Sequence, residues 1–329
     1  MKVCIIGAGA IGGYIGTRLA AAGQAQVTAL ARGATLQALR TQGWRLQTAN
    51  GLVQVPARAV DRAADAGPQD LVVIAVKGPA LSAVARDIAP LLGADTRVLP
   101  AMNGVPWWFC EGLPGLGERA LDSVDPGGCI REAIPLSRVL GCVVHASTAC
   151  PEPGLVQHRM GAGLIVGEPA GGHSPRAQAV VDLLAQAGFD ATHSADIRQD
   201  IWYKLWGNLT MNPVSALTGA TIDRVLADPL VRGFCSAAMA EAALVGERLG
   251  CPITQTPEDR HAVTARLGAF KSSMLQDVEA GRSIELDSIV TAVHEIARRL
   301  GIATPNIDAL LGLARLFGRV HGLYPEVQA

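Results

Sequence analysis

A short apolar run, residues 3–6, stops at Gly7-Ala8-Gly9-Ala10-Ile11-Gly12, after which Ile11, Ile15, Leu19 and Ala22 recur at helical spacing. A buried strand that turns on glycine into a helix is the opening unit of a doubly wound parallel sheet, and a G-x-G-x-x-G at that turn constrains this chain more than any other stretch. The first glycine permits the tight turn, the second lets backbone approach a pyrophosphate, and the third packs helix against strand. The helix N-terminus stabilises phosphate charge. Dinucleotide binding by Gly7, Ala8, Gly9, Ala10, Ile11 and Gly12 is the expectation.

The alternation continues. Residues 27–31, 71–76 and 97–101 read as further buried strands, with a helix over 81–92. Residues 44–48 and 52–55 flank Asn50-Gly51, a strong hairpin signal, and are expected to decorate the sheet. Residues 106–135 turn to Gly, Pro and Trp before strand-like runs resume at 139–147 and 164–167, with a helix near 176–187. Beyond about residue 197 only helical stripes remain, over 201–210, 228–249, 257–279, 286–300 and 306–317. The expected architecture is α/β, an N-terminal Rossmann-type doubly wound sheet (1–196) plus a C-terminal all-α domain (197–329). A length of 329 residues, roughly twice the usual domain, agrees.

Lys and Arg total 28 against 29 Asp and Glu, a net charge of −1. No field is available to hold a polyanion or an acidic bilayer, so neither nucleic acid nor membrane is an expected partner. No apolar run reaches the about 18 residues of a spanning helix. Lys2 and the uncharged stretch to Thr17 imitate a secretory signal, but glycines at 7, 9, 12, 13 and 16 are unlike its Leu-rich helix. The seven cysteines are odd in number and scattered, which fits a reducing cytoplasm. The seven histidines lack ligand spacing, so no metal is expected.

An NAD site carries an acid about 20 residues past the glycines, at the end of the second strand. Here that end reads Ala29-Leu30-Ala31-Arg32-Gly33. With no carboxylate and an arginine where a 2′-phosphate would lie, NADP is favoured. Lys77 and Asn103 close two other strands at the same sheet edge, as candidates for cofactor or substrate contact, although Asn103-Gly104 is also ordinary turn chemistry. In the helical half, Lys204, Asn208 and Asn212 fall at i, i+4 and i+8 among Leu205, Trp206, Leu209 and Met211, a polar stripe in apolar company. A second polar group follows, Lys271 to Asp277 and then Ser283-Ile284-Glu285-Leu286-Asp287. By themselves Ser273 and Glu285 have an equally bland reading near a helix end.

Taken together, the glycine turn, Val76-Lys77, Asn103-Gly104, Lys204-x-x-x-Asn208-x-x-x-Asn212-Pro213, the run Ser272-Ser273-Met274-Leu275-Gln276-Asp277 and Glu285-x-Asp287 resemble the ketopantoate reductase (2-dehydropantoate 2-reductase) family over nearly the whole chain. The resemblance implies a Rossmann domain that binds NADPH, a helical domain that closes the cleft, and reduction of ketopantoate to D-pantoate for pantothenate and coenzyme A synthesis. It further implies that Lys204 is the general acid with Glu285 hydrogen-bonding near it. Asn208, Asn212 and Ser273 would then be substrate ligands, with Asn103 and Lys77 where cofactor and substrate meet. The chemistry agrees, because hydride addition to a 2-oxo group builds alkoxide charge that an ammonium stabilises and protonates. The segment from Pro106 to Gly128, with Trp107 and Trp108, is longer than the family pattern. It could line the substrate pocket or cover apolar surface, and it keeps open a paralogue acting on another 2-oxo or 2-hydroxy acid. The long helices suit a homodimer.

Overall fold

The computed structural model describes residues 1–326. The chain divides into two compact units, Met1–Phe109 with Gly127–Asp200, and Cys110–Pro126 with the chain from Ile201 onward. The division is discontinuous, where a single cut near residue 196 was expected.

The first unit runs β1 (Lys2–Ile6), α1 (Ala10–Ala22), β2 (Gln26–Leu30), α2 (Gly33–Gln42), β3 (Trp44–Thr48), β4 (Gly51–Val55), β5 (Arg58–Val60), α3 (Ala63–Ala66), β6 (Gln69–Ile74), α4 (Leu81–Asp87) and β7 (Leu92–Pro100). After the excursion come α5 (Cys129–Ala133), β8 (Gly141–Glu152), β9 (Leu155–Gly167), α6 (Pro175–Gln186) and β10 (Asp190–Ser194). Five strands form a wholly parallel sheet in the order β5-β2-β1-β6-β7. The direction of winding reverses between β1 and β6, the switch point at which open α/β sheets bind ligands. Near-continuous Val, Ile and Leu in β1, β6 and the end of β7 follow from burial on both faces.

One expectation is corrected. The Asn50-Gly51 hairpin forms, with Trp44 opposite Val55, but it does not decorate the parallel sheet. It joins a second sheet, β10-β9-β3-β4, in which β8 pairs with β9. Helix α1 packs against strands of both sheets. Close approach explains the later glycines of the run: a Cβ on Gly13 would stand 2.6 Å from Val156, and one on Gly16 2.4 Å from the buried Trp44 ring. Trp107, Trp108 and Phe109 are buried, Trp108 against Gly141.

The second unit contains α7 (Ile197–Thr218) from Ile201, α8 (Ile222–Ala227), α9 (Pro229–Arg248), α10 (Pro257–Ala265), α11 (Ser273–Glu279), α12 (Ala292–Arg299) and α13 (Pro305–Val320). No strand follows β10 among the described residues. The single helix expected over 257–279 is two, separated by a turn in which Gly268 takes φ +63°. A π-helical turn, Asp287–Thr291, precedes α12. Helix α7 continues through Pro213, which offers no N–H to the carbonyl four residues back. The excursion Cys110–Pro126 is fastened to α12: Glu295 accepts from the backbone N–H groups of Asp122 and Ser123, both at 2.9 Å, and Arg299 donates to the carbonyls of Arg119 and Ala120 at 3.0 and 2.6 Å. Among the described residues no helix is long and apolar enough to cross a membrane.

Candidate active site

In the first unit, register brings four segments to one edge. Ile6 pairs with Leu30 and Ile74, Leu30 with Val60, and Ile74 with Pro100, so the five strands end level. Gly7-Ala8-Gly9-Ala10-Ile11-Gly12, Arg32, Lys77 and Asn103 leave this carboxyl edge within a few residues of their strands. Gly7 takes φ +88°, and a Cβ there would meet Val76 at 2.7 Å. A Cβ on Gly12 would lie 2.0 Å from the Gly7 carbonyl oxygen, whereas one on Gly9 would project into open space. Gly9 caps α1 without a side chain, and the first turn of α1 carries no acid. The result is an open helix N-terminus behind a backbone-only cradle, which suits a pyrophosphate. The residues present therefore fit a dinucleotide.

Arg32 is exposed and pairs with Asp87 of α4 at 3.2 Å, both side chains being more than half exposed. Such a pair is worth little, so its guanidinium can exchange this partner for a phosphate at small cost. Lys77 is half-buried at the start of a 3₁₀ turn, Gly78–Ala80. Asn103 is half-buried beside Gly104, whose φ of +82° makes the turn after β7.

In the second unit, α7 carries Lys204, Asn208 and Asn212 on one face. Lys204 and Asn208 are half-buried. Asn212 is 6% exposed, and its Nδ2 has no hydrogen-bond partner among the described residues. A buried amide without an acceptor costs about 1–3 kcal/mol, a penalty that a ligand oxygen would remove. Glu285 is half-buried in the short segment before the π turn. That segment is anchored on both sides of it: the Ile284 N–H donates to the Leu323 carbonyl at 3.0 Å, and Asp287 Oδ1 accepts from Tyr324 Oη at 2.5 Å and Thr291 Oγ1 at 3.2 Å. Burial and the Asp287 charge push the Tyr324 hydroxyl up to about 12. Ser273 opens α11 and is exposed, while its neighbour Ser272 is the buried cap, accepting from the Leu275 N–H at 3.1 Å. Ser273 and Glu285 thus lie on elements separate from α7.

One residue escaped the sequence reading. Arg260 of α10 lies over the Tyr203 ring, with its Cζ 4.8 Å from the centroid, and against Gly207 of α7. The available signal was Gly207 itself, a glycine amid the bulky residues of a long helix.

The family model described as ketopantoate reductase PanE/ApbA matches residues 3–110, and its C-terminal counterpart matches residues 196–317. A 2-dehydropantoate 2-reductase of Mesorhizobium japonicum is 42% identical over 98% of this chain and 100% of its own. The structure of a putative ketopantoate reductase from Ralstonia solanacearum MolK2 superposes with a TM-score of 0.95 at 54% identity, covering 98% of this chain and 99% of that one. A 2-dehydropantoate 2-reductase of Geobacter metallireducens GS-15 gives 0.84 at 26% identity, over 96% and 100%. With an open glycine cradle at the sheet's switch point and a lysine-asparagine stripe on α7, the chain belongs to the ketopantoate reductase family of pyridine-nucleotide-dependent oxidoreductases.

Proposed function

We propose that this chain reduces ketopantoate (2-dehydropantoate) to D-pantoate with NADPH, a step toward pantothenate and coenzyme A. The observation that carries the reading is the α7 stripe, a lysine and two asparagines with one amide buried and unsatisfied. The reaction needs those groups: a proton donor for the ketone oxygen and neutral ligands for a hydroxylated acid. The name of the Mesorhizobium relative supports the substrate.

When bound, the cofactor supplies the hydride that adds to the 2-oxo carbon. Gly7 to Gly12 hold its pyrophosphate by backbone N–H groups, and Arg32 takes the 2′-phosphate, which favours NADPH. Lys77 and Asn103 hold the cofactor where it meets substrate. Lys204 Nζ stabilises the developing alkoxide and gives it a proton, with Glu285 hydrogen-bonding near it. Asn208, Asn212 and Ser273 orient the substrate's hydroxyl and carboxylate, and Asn103 contacts it from the cofactor side. Half-buried Lys204 is partly withdrawn from water, which strengthens its attraction for the developing alkoxide.

Absorbance at 340 nm reads the test directly. NADPH oxidation with ketopantoate is expected, and Lys204→Ala should lose about 10²–10⁴-fold in kcat while still binding NADPH. Near-normal turnover by that variant would remove Lys204 from the role. Activity confined to other 2-oxoacids in the same panel would select the paralogue instead. The reading includes a cytoplasmic homodimer. It is supported by cysteines that form no disulfide among the described residues and by exposed Leu313, Leu316 and Val320 on α13, and light scattering tests the assembly.

A further inference from the structure

The stretch of α7 that carries Lys204 is covered by a charged side chain from α10. From Ile201 to Ala216 only Tyr203, Lys204 and Asn208 are half-buried, and every other residue is buried. Residues three and four apart on a helix lie about 5–6 Å apart at Cβ, so positions 203, 204, 207 and 208 form one contiguous window. Gly207 is at its centre, and Arg260 covers it: a Cβ there would stand 2.7 Å from Nε and 3.2 Å from Cζ. The guanidinium also lies over Tyr203, whose hydroxyl donates to Gln255 Oε1 at 2.7 Å. Arg260 Nε is shielded from solvent and has no hydrogen-bond partner among the described residues. The guanidinium's contacts are an aromatic face and a glycine rather than a carboxylate. In this half-buried side chain the one N–H closed off from water stays unmet until an acceptor reaches it.

A 2-oxoacid carries its carboxylate on the carbon next to the ketone. With the ketone oxygen at Lys204, the carboxylate falls within one helical turn, the span from Lys204 to Gly207. We propose that Arg260 binds the substrate's carboxylate, with Gly207 making room for the guanidinium. This rests on the assignment of Lys204 to the ketone oxygen. A planar guanidinium held between a ring and a helix is preorganised for two parallel N–H···O bonds, which a lysine cannot reproduce. Arg260 would thus select the acid over its uncharged ester.

Steady-state kinetics of the full chain with NADPH test this, comparing ketopantoate with its methyl ester in wild type, Arg260→Gln, Arg260→Lys and Gly207→Ala. Arg260→Gln should raise KM for the acid about tenfold to a hundredfold, with kcat and the NADPH KM within about threefold. The ester should be almost unaffected, so the acid-to-ester preference collapses. Arg260→Lys should recover part of it. Gly207→Ala, which pushes the guanidinium aside but keeps the charge, should fall between, and these two variants carry the comparison should Arg260→Gln not fold. An unchanged acid KM, or equal losses on acid and ester, overturns the proposal while leaving the reductase reading intact. A wild-type chain inactive on every 2-oxoacid overturns both.

Discussion

Asn212 and Arg32, both assigned to ligands in the proposed reaction, are held very differently. The Asn212 amide is kept in an apolar helix with one donor unsatisfied, which weakens the free protein. Asn212→Leu, similar in volume, should therefore raise the melting temperature by about 2–4 °C, since about 1 kcal/mol is worth that much in a chain of this order of size, and weaken substrate binding at the same time. Calorimetry with and without substrate separates the two effects, and a drop in melting temperature would show that the amide is satisfied in solution. Arg32 is nearly free in water, so Arg32→Ala should leave stability within about 0.5 kcal/mol. It should raise the NADPH KM tenfold or more and leave that for NADH almost unchanged, as titration of each nucleotide will show. The spacing of Lys204, Asn208 and Asn212 was legible because a helix converts i, i+4 into a shared face. Arg260 was not, because its partner Gly207 is more than 50 residues away and nothing local announces the contact.

Among the elements, α1 is the instructive one. Its glycine run was legible as a nucleotide turn, yet Gly13 and Gly16 serve the second sheet rather than a ligand, a distinction that depends on Val156 and Trp44. The sequence likewise shows the β3–β4 hairpin but not its sheet, because β3 pairs with β9 more than 100 residues on, and pairing at that range leaves no periodic trace. Gly16→Ala separates two opposed effects. Helix propensity gains about 1 kcal/mol, while forcing a methyl into a buried indole costs about 1–3 kcal/mol or more. Lower stability is expected in a denaturant melt, and higher stability would mean that the Trp44 ring moves aside. At α10 and α11 the apolar spacing in the sequence ran through a break, because Val263 and Leu267 keep the helical rhythm while both are exposed where the chain turns at Gly268.

Over the whole molecule, the near-neutral charge conceals buried titratable groups. His261 on α10 is 2% exposed, with Nε2 3.0 Å from Ser236 Oγ. Burial, aided by the Arg232 charge and opposed by Glu258, holds its pKa below the ordinary 6.5. The unfolded chain then binds the proton more tightly, so this stability is present above about pH 6.5 and is lost as pH falls through the folded value. Thermal melts from pH 7.5 to 5.5 should show declining stability, and His261→Gln should flatten part of the decline. An unchanged slope would place the loss elsewhere. Glu295 is a half-buried carboxylate: burial drives its carboxyl up, but hydrogen bonds from Ser123 and Asp122 and the Arg299 charge outweigh this and leave it lowered. Those bonds come from the Cys110–Pro126 excursion, which is synthesised some 170 residues before α12. On the ribosome this loop must wait without its α12 anchors while the whole of β8 to α11 emerges, so the helical unit cannot be completed by a growing chain before its end, nor made by a gene that starts at residue 197.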